Sequence, residues 1–218
     1  MIKAVVFDLD GTLLDSIPDI ASALNHALAA RGFPTHTDRA VEGFVGGGIR
    51  AAVRNALPRD ASPEDEDRVL ALYRPYYKDH CTERTLPYPG IGQMLSALAE
   101  ENIPLFVLSN KSEDTARVII SHFFPQIPFR GVFGRVNDRP LKPAPGAAAP
   151  IFDILDLPPE EIAYVGDSGT DVTFARAAGM LPVATPWGYR SREELAAAGA
   201  AYIPNDTAEL LTLLKNLT

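Results

Sequence analysis

The first fifteen residues constrain this chain more than any other stretch: Met1 to Asp15 read M-I-K-A-V-V-F-D-L-D-G-T-L-L-D. Ile2, Ala4, Val5, Val6 and Phe7 make a short, nearly continuous apolar run. Such a run fits a strand buried on both faces of a parallel sheet. Two carboxylates and a glycine follow at once, Asp8, Asp10 and Gly11. Side chains of an extended chain alternate with period two, so Asp8 and Asp10 are expected on one side at the strand's carboxyl end. Open α/β sheets bind their ligands along that edge. Gly11 lets the backbone turn away without a Cβ penalty. The plainer reading of D-G is an ordinary turn; what weighs against it is that further chemical groups follow apolar runs later in the chain.

From Ser16 to Gly32, Ile17, Ile20, Ala21, Leu24, Ala27 and Leu28 recur at helical spacing, with Pro18 suited to a first turn. A short helix is expected from Thr37 or Asp38 to Phe44, another over Ile49 to Leu57, and a longer one from Ser62, which Pro75 should kink or end. Nothing between Ser16 and Leu86 reads as a strand. After Pro87-Tyr88-Pro89-Gly90 the pattern alternates, with strands predicted at Pro104–Leu108, Val132–Phe133, Ile162–Val165 and Pro182–Ala184, a weak one at Ala201–Ile203, and helices between them. Alternation of this kind calls for a parallel sheet covered by helices on both faces. The predicted fold is therefore α/β, a Rossmann-like parallel-sheet core of residues 1–15 and 87–218, with an α-helical domain of residues 16–86 inserted after the first strand.

Of the 218 residues, 46% are hydrophobic, enough for a full core, and the net charge of −8 argues against a broad nucleic-acid surface. With neither an export leader nor a long apolar run, the sequence predicts a cytoplasmic protein that uses no membrane. The single cysteine, Cys81, excludes an intramolecular disulfide and a cysteine-based metal site. His26, His36, His80 and His122 are scattered and carry no assigned role.

Three later segments carry chemistry. The run Leu105–Leu108 ends in Ser109-Asn110-Lys111, where a hydroxyl and turn N–H groups suit a phosphoryl oxygen. Lys142 sits in Leu141-Lys142-Pro143-Ala144-Pro145, a loop stiffened by prolines that would hold an ammonium at low entropic cost. Val165-Gly166-Asp167-Ser168-Gly169-Thr170-Asp171 sets two acids four apart after a buried strand. Asp167 reads as a metal ligand; Asp171 fits equally a water-mediated ligand and a helix N-terminal charge. Oxygen donors without cysteine or histidine point to Mg²⁺ rather than zinc. In the helical insert, Gly46-Gly47-Gly48 frees the backbone to approach a ligand, and its N–H groups form a candidate anion nest beside Arg50.

Asp-Leu-Asp-Gly-Thr-Leu at Asp8–Leu13 resembles the first motif of the haloacid dehalogenase superfamily of aspartate-nucleophile phosphatases. Leu14–Ile20, Lys142-Pro143-Ala144-Pro145 and the Gly46-x-Gly48 spacing resemble its phosphoglycolate phosphatase branch in particular, and Ser109 matches the second motif. The resemblance implies Asp8 as nucleophile and Asp10 as acid and then base. Mg²⁺ would be held by Asp8, Asp10 (through its backbone carbonyl) and Asp167, with Asp171 acting from behind or through water. Ser109, Asn110 and Lys142 would hold the phosphoryl oxygens. The implied activity is hydrolysis of a small phosphate ester, 2-phosphoglycolate or a similar one, by a monomer or homodimer. Pyrophosphate, sugar phosphates, a β-phosphoglucomutase-like transfer and a non-catalytic binding protein on the same fold remain open. Arg50 is the candidate partner of a substrate carboxylate.

Overall fold

A computed structural model describes residues 1–217. The chain divides into two compact units, Met1–Leu14 with the chain from Pro87 onward, and Asp15–Leu86. In chain order the elements are β1 Ala4–Phe7, β2 Leu14–Asp15, α1 Ile17–Ala30, α2 Asp38–Glu42, α3 Ile49–Ala56, α4 Pro63–His80, β3 Leu86–Pro87, α5 Ile91–Glu100 and β4 Leu105–Ser112. Then come α6 Glu113–Phe123, β5 Gly131–Arg135, α7 Ala149–Phe152, β6 Ile162–Gly166, α8 Gly169–Ala177, β7 Leu181–Ala184, α9 Arg192–Ala198 and α10 Thr207–Leu217.

The larger unit is an α/β fold around a five-stranded sheet in the order β5-β4-β1-β6-β7. Every pairing in it is parallel, with Phe7 beside Val107 on one flank and Val165 on the other. All four residues of β1 are buried, as a central strand covered on both faces requires. Ala4 and Val6 face a cluster with Phe106, Leu108, Ile151 and Phe174. Burying a side chain the size of Phe7 contributes roughly 1.5–3 kcal/mol, so the apolar run is what holds the chemical residues that follow it. From β1 the chain builds outward to β4 and β5, then crosses back to β6 and β7. That reversal leaves a crevice beyond the carboxyl ends of β4, β1 and β6.

The sheet is more extended than the sequence implies. β4 continues through Ser109 to Ser112, with an irregular register against β5 between Leu108 and Ser112. One of the helices expected between the strands, over Pro145 to Leu155, is instead a single 3-10 turn, Pro145–Ala148, followed by the four-residue α7. Its prolines cannot donate to a helical ladder. The strand predicted at 201–203 is one isolated bridge from Tyr202 to Val183.

The second unit is entirely helical apart from Asp15 and Leu86 at its ends. Ser62 and Asp65 form a capping box at the start of α4. Pro75 does not end that helix, which runs 18 residues to His80. One lost backbone bond is offset by burial of Val69, Leu70, Tyr73 and Tyr77 along a single face. Asp19 of α1 accepts from the N–H groups of Arg84 and Thr85 and from the Thr85 hydroxyl, closing the unit's own ends. No described helix is long and apolar enough to cross a membrane.

Candidate active site

β1 stops at Phe7, so the turn, and not strand alternation, places the two first acids. Asp8 still donates its N–H to Val165 at 2.8 Å, which holds its backbone against β6. Gly11 has φ +81°, and a Cβ there would stand 2.3 Å from a carboxylate oxygen of Asp167. The glycine is thus needed both for the turn and for the approach of two loops.

Lys142 lies at the centre. Its ammonium is 2.9 Å from Asp8 Oδ1, 2.7 Å from Asp171 Oδ1 and 2.7 Å from the Tyr164 hydroxyl. The Asp8 contact is an ion pair without an aligned hydrogen bond, so Asp8 Oδ1 keeps an unspent acceptor. Asn110 clamps the Lys142 backbone from both sides, its amide donating to the carbonyl at 3.0 Å and accepting from the N–H at 2.9 Å. Asn110, a candidate for phosphoryl binding, thus clamps the lysine loop in this structure.

Asp171 has two jobs. Its Oδ1 meets Lys142, and its Oδ2 accepts from the Ser168 N–H and hydroxyl in the capping box of α8. Asp167 Oδ2 accepts the Tyr189 N–H at 2.8 Å. Thr12 Oγ1 approaches its other oxygen at 3.5 Å. Ser109 is buried on β4, its hydroxyl accepting the Lys111 N–H at 3.3 Å. Asp10 is held by Lys111.

Asp8, Asp167 and Asp171 each offer a carboxylate oxygen within 4.8 Å of the others, and all three are buried. Like charges so placed repel by roughly 3 kcal/mol at an effective dielectric of about 20. Burial pushes the Asp8 carboxyl up to about 6, with Lys142 only partly offsetting it. Burial, then Asp171 and Asp8, drive Asp167 well above the usual carboxylate range. Burial works against the charge of Lys142, but Asp171 and Asp8 outweigh it and raise its pKa, so it stays cationic. Burial and the same acids keep Tyr164 a neutral phenol.

One ammonium cannot balance three carboxylates. The surplus negative charge, the unspent acceptor on Asp8 and a donor set made only of oxygen fit a hard divalent cation such as Mg²⁺. Asp8 and Asp167 would hold it, with Asp171 behind them on Lys142.

In the helical unit, Gly46 and Gly48 have φ of +118° and +82°, and Gly48 leads into α3. Arg50 on α3 is engaged by Glu66 and Asp67 of α4. Four contributors to the larger unit's site escaped the sequence reading: Lys111, Tyr164, Trp187 and Tyr189. Trp187 donates its indole N–H to the Thr12 carbonyl at 3.1 Å, tying the loop after β7 to the turn after β1. Between Trp187 and Tyr189, a Cβ on Gly188 would fall 2.3 Å from Asp167 Cβ and from the Gly11 carbonyl. Tyr164 hides within an apolar strand, and Lys111 differs from a solvated lysine only by its burial.

Residues 5–185 match the haloacid dehalogenase-like hydrolase family. The chain belongs to that family. It is 35% identical to a phosphoglycolate phosphatase of Chromobacterium violaceum over 99% of this chain and 97% of the relative. The same identity relates it to a phosphoglycolate phosphatase of Rhodospirillum rubrum, over 96% of this chain and 90% of that one. Among solved structures, one from Lactobacillus delbrueckii subsp. bulgaricus, provisionally named a phosphoglycolate phosphatase, superposes with a TM-score of 0.90. It is 30% identical and covers 97% of this chain and 98% of its own. Within the hydrolase family these relatives put the chain among the phosphatases.

Proposed function

We propose that this phosphatase is a Mg²⁺-dependent phosphomonoesterase that works through an aspartyl-phosphate on Asp8, with 2-phosphoglycolate as substrate. The observation that carries the chemistry is the buried Asp8 carboxylate facing Lys142 inside a cluster with excess negative charge. The substrate rests on the names of the relatives.

Asp8 would attack phosphorus with one carboxylate oxygen while the bond to the ester oxygen breaks. Asp10 would give the departing oxygen a proton, then take one from the water that attacks the aspartyl-phosphate, releasing phosphate and restoring Asp8. Lys142 and Ser109 would neutralise and orient the phosphoryl oxygens. The divalent ion, held by Asp8, Asp167 and the Asp10 carbonyl, would supply charge neutralisation for a dianion entering an acidic site. Asn110 acts behind this set by fixing Lys142, and Asp171 by pairing with it. Gly46, Gly47, Gly48 and Arg50 stand as candidates for recognising the rest of the substrate. Arg50 would have to exchange Glu66 or Asp67 to do so.

The test is a panel of phosphate esters compared by kcat/KM with Mg²⁺ and with excess chelator. 2-Phosphoglycolate should lead the panel, and chelation should abolish turnover until Mg²⁺ is restored. Full activity in chelator overturns the metal-assisted reading; a different leading ester overturns the substrate. Asp10→Asn should cost far more with an alkyl ester than with nitrophenyl phosphate, whose leaving group needs little protonation.

A further inference from the structure

Lys111 is the second buried lysine of the larger unit's site. Its side chain is 7% exposed, and its ammonium stands 2.8 Å from Oδ1 and 2.9 Å from Oδ2 of Asp10. Its backbone is fixed on β4, with the N–H on Ser109 Oγ. Burying an ammonium costs several kcal/mol unless an anion meets it, and a carboxylate needed only as an acid does not require such a partner.

We infer that Lys111 is a specificity-determining residue that reads a carboxylate on the leaving group. The inference rests on the reading of Asp10 as the group that serves the leaving oxygen. An acid in that role holds the ester oxygen at about 2.6–3.2 Å. Because Lys111 touches both oxygens of Asp10, its ammonium lies within about 6 Å of the leaving oxygen whichever of them donates. In a glycolate ester a single methylene separates that oxygen from the carboxylate, so the negative group is close enough to turn onto this ammonium. An ammonium carries three donors and can bridge two carboxylates, here Asp10 and the substrate. An alcohol of the same length without charge offers nothing to Lys111, and a long leaving group carries its charge away. The class selected is a short ester with an anion next to the scissile bond.

The experiment compares kcat/KM for 2-phosphoglycolate and ethyl phosphate, with Mg²⁺, in the full chain and in its Lys111→Met and Lys111→Arg variants. Lys111→Met should lose roughly ten- to a hundred-fold on 2-phosphoglycolate, the scale of one charge-assisted hydrogen bond, with most of the loss in KM. Ethyl phosphate makes no such bond and should lose only what Asp10 loses with its partner, so the preference for 2-phosphoglycolate over ethyl phosphate should fall by roughly ten-fold or more. Lys111→Arg should recover part of the loss. If the Met variant fails to fold by circular dichroism, Lys111→Gln carries the same comparison. Equal losses on both esters, or no loss on either, overturn the inference, since a residue that only braces Asp10 cannot tell them apart. A wild-type chain that does not discriminate between the esters overturns the substrate reading itself. One that discriminates while Lys111→Met discriminates equally overturns only the role of Lys111.

Discussion

Each unit of this chain holds an ionic cluster around a buried carboxylate, and the two are balanced differently. In the helical unit, Glu66 of α4 is buried between Arg50, 2.5 Å away, and Arg54, 2.9 Å away, and Arg50 also pairs with Asp67, so two acids meet two cations. Burial works to raise its carboxyl, but hydrogen bonds from Arg54 and Arg50 outweigh that and hold it below the usual range. In the α/β unit, Asp8, Asp167 and Asp171 cluster together while the ammonium of Lys142 pairs with Asp8 and Asp171, and Asp8 and Asp167 are both pushed up. The side chains are of the same kinds. A cluster whose charges are matched stabilises the fold, whereas one left with surplus charge gives up stability and is poised to take a cation and a reaction. Arg50, read from sequence as a substrate contact, is in this structure part of the matched cluster.

Replacing Asp8 by Asn should separate stability from function most sharply. Turnover should fall by roughly four orders of magnitude or more, as for other lost nucleophiles. The metal-free protein should nonetheless melt about 2–6 °C higher, because an uncompensated charge has gone. The folded carboxyl titrates at about 6 and the unfolded one at 3.8, so the folded state binds more protons between those values. Metal-free stability should therefore fall as pH rises through that window, less steeply in the Asn variant. Thermal melts in chelator across pH check both claims. A lower melting temperature for Asp8→Asn would mean that the cluster is not in surplus.

Lys142→Met removes the ammonium that pairs with Asp8 and Asp171. Activity should drop by roughly 10²–10³-fold. Stability should fall by about 3–5 kcal/mol, the cost of leaving buried carboxylates unpaired. Denaturant unfolding and single-turnover kinetics measure the two effects. A folded variant with more than a tenth of wild-type activity would remove Lys142 from the reaction.

Glu66→Gln should have the smallest effect. Arg50 and Arg54 are 46% and 68% exposed, so solvent screens the pairs, and the loss should be roughly 1–2 kcal/mol at neutral pH. The folded carboxyl titrates below the unfolded one, near 4.3, so its contribution is present above that value and is lost as pH falls through the folded one. Wild type and variant should converge in stability once the pH lies below the folded value, while kcat stays within about twofold. A large fall in kcat would make the helical cluster functional as well as structural.

Periodicity in the sequence determined most of the elements. An apolar run of one length makes β1, another β6, and spaced leucines and alanines make α1, because backbone period and burial are local matters. The acids and the glycine after β1 were legible for the same reason, being neighbours in the chain. Pro75 shows the limit of local rules, since packing along α4 overrides its breaking tendency. What only the tertiary structure decided is which charges meet. Lys111 and Asp10 lie 101 residues apart, Asn110 and Lys142 lie 32 apart, and Lys142 and Asp171 lie 29 apart. They meet because the strand order puts β1 between β4 and β6, so that loops distant in the chain share one edge. No local pattern encodes that order. The balance of charge at the edge, and with it the difference between a cluster that folds and one that reacts, arises only when the sheet is assembled.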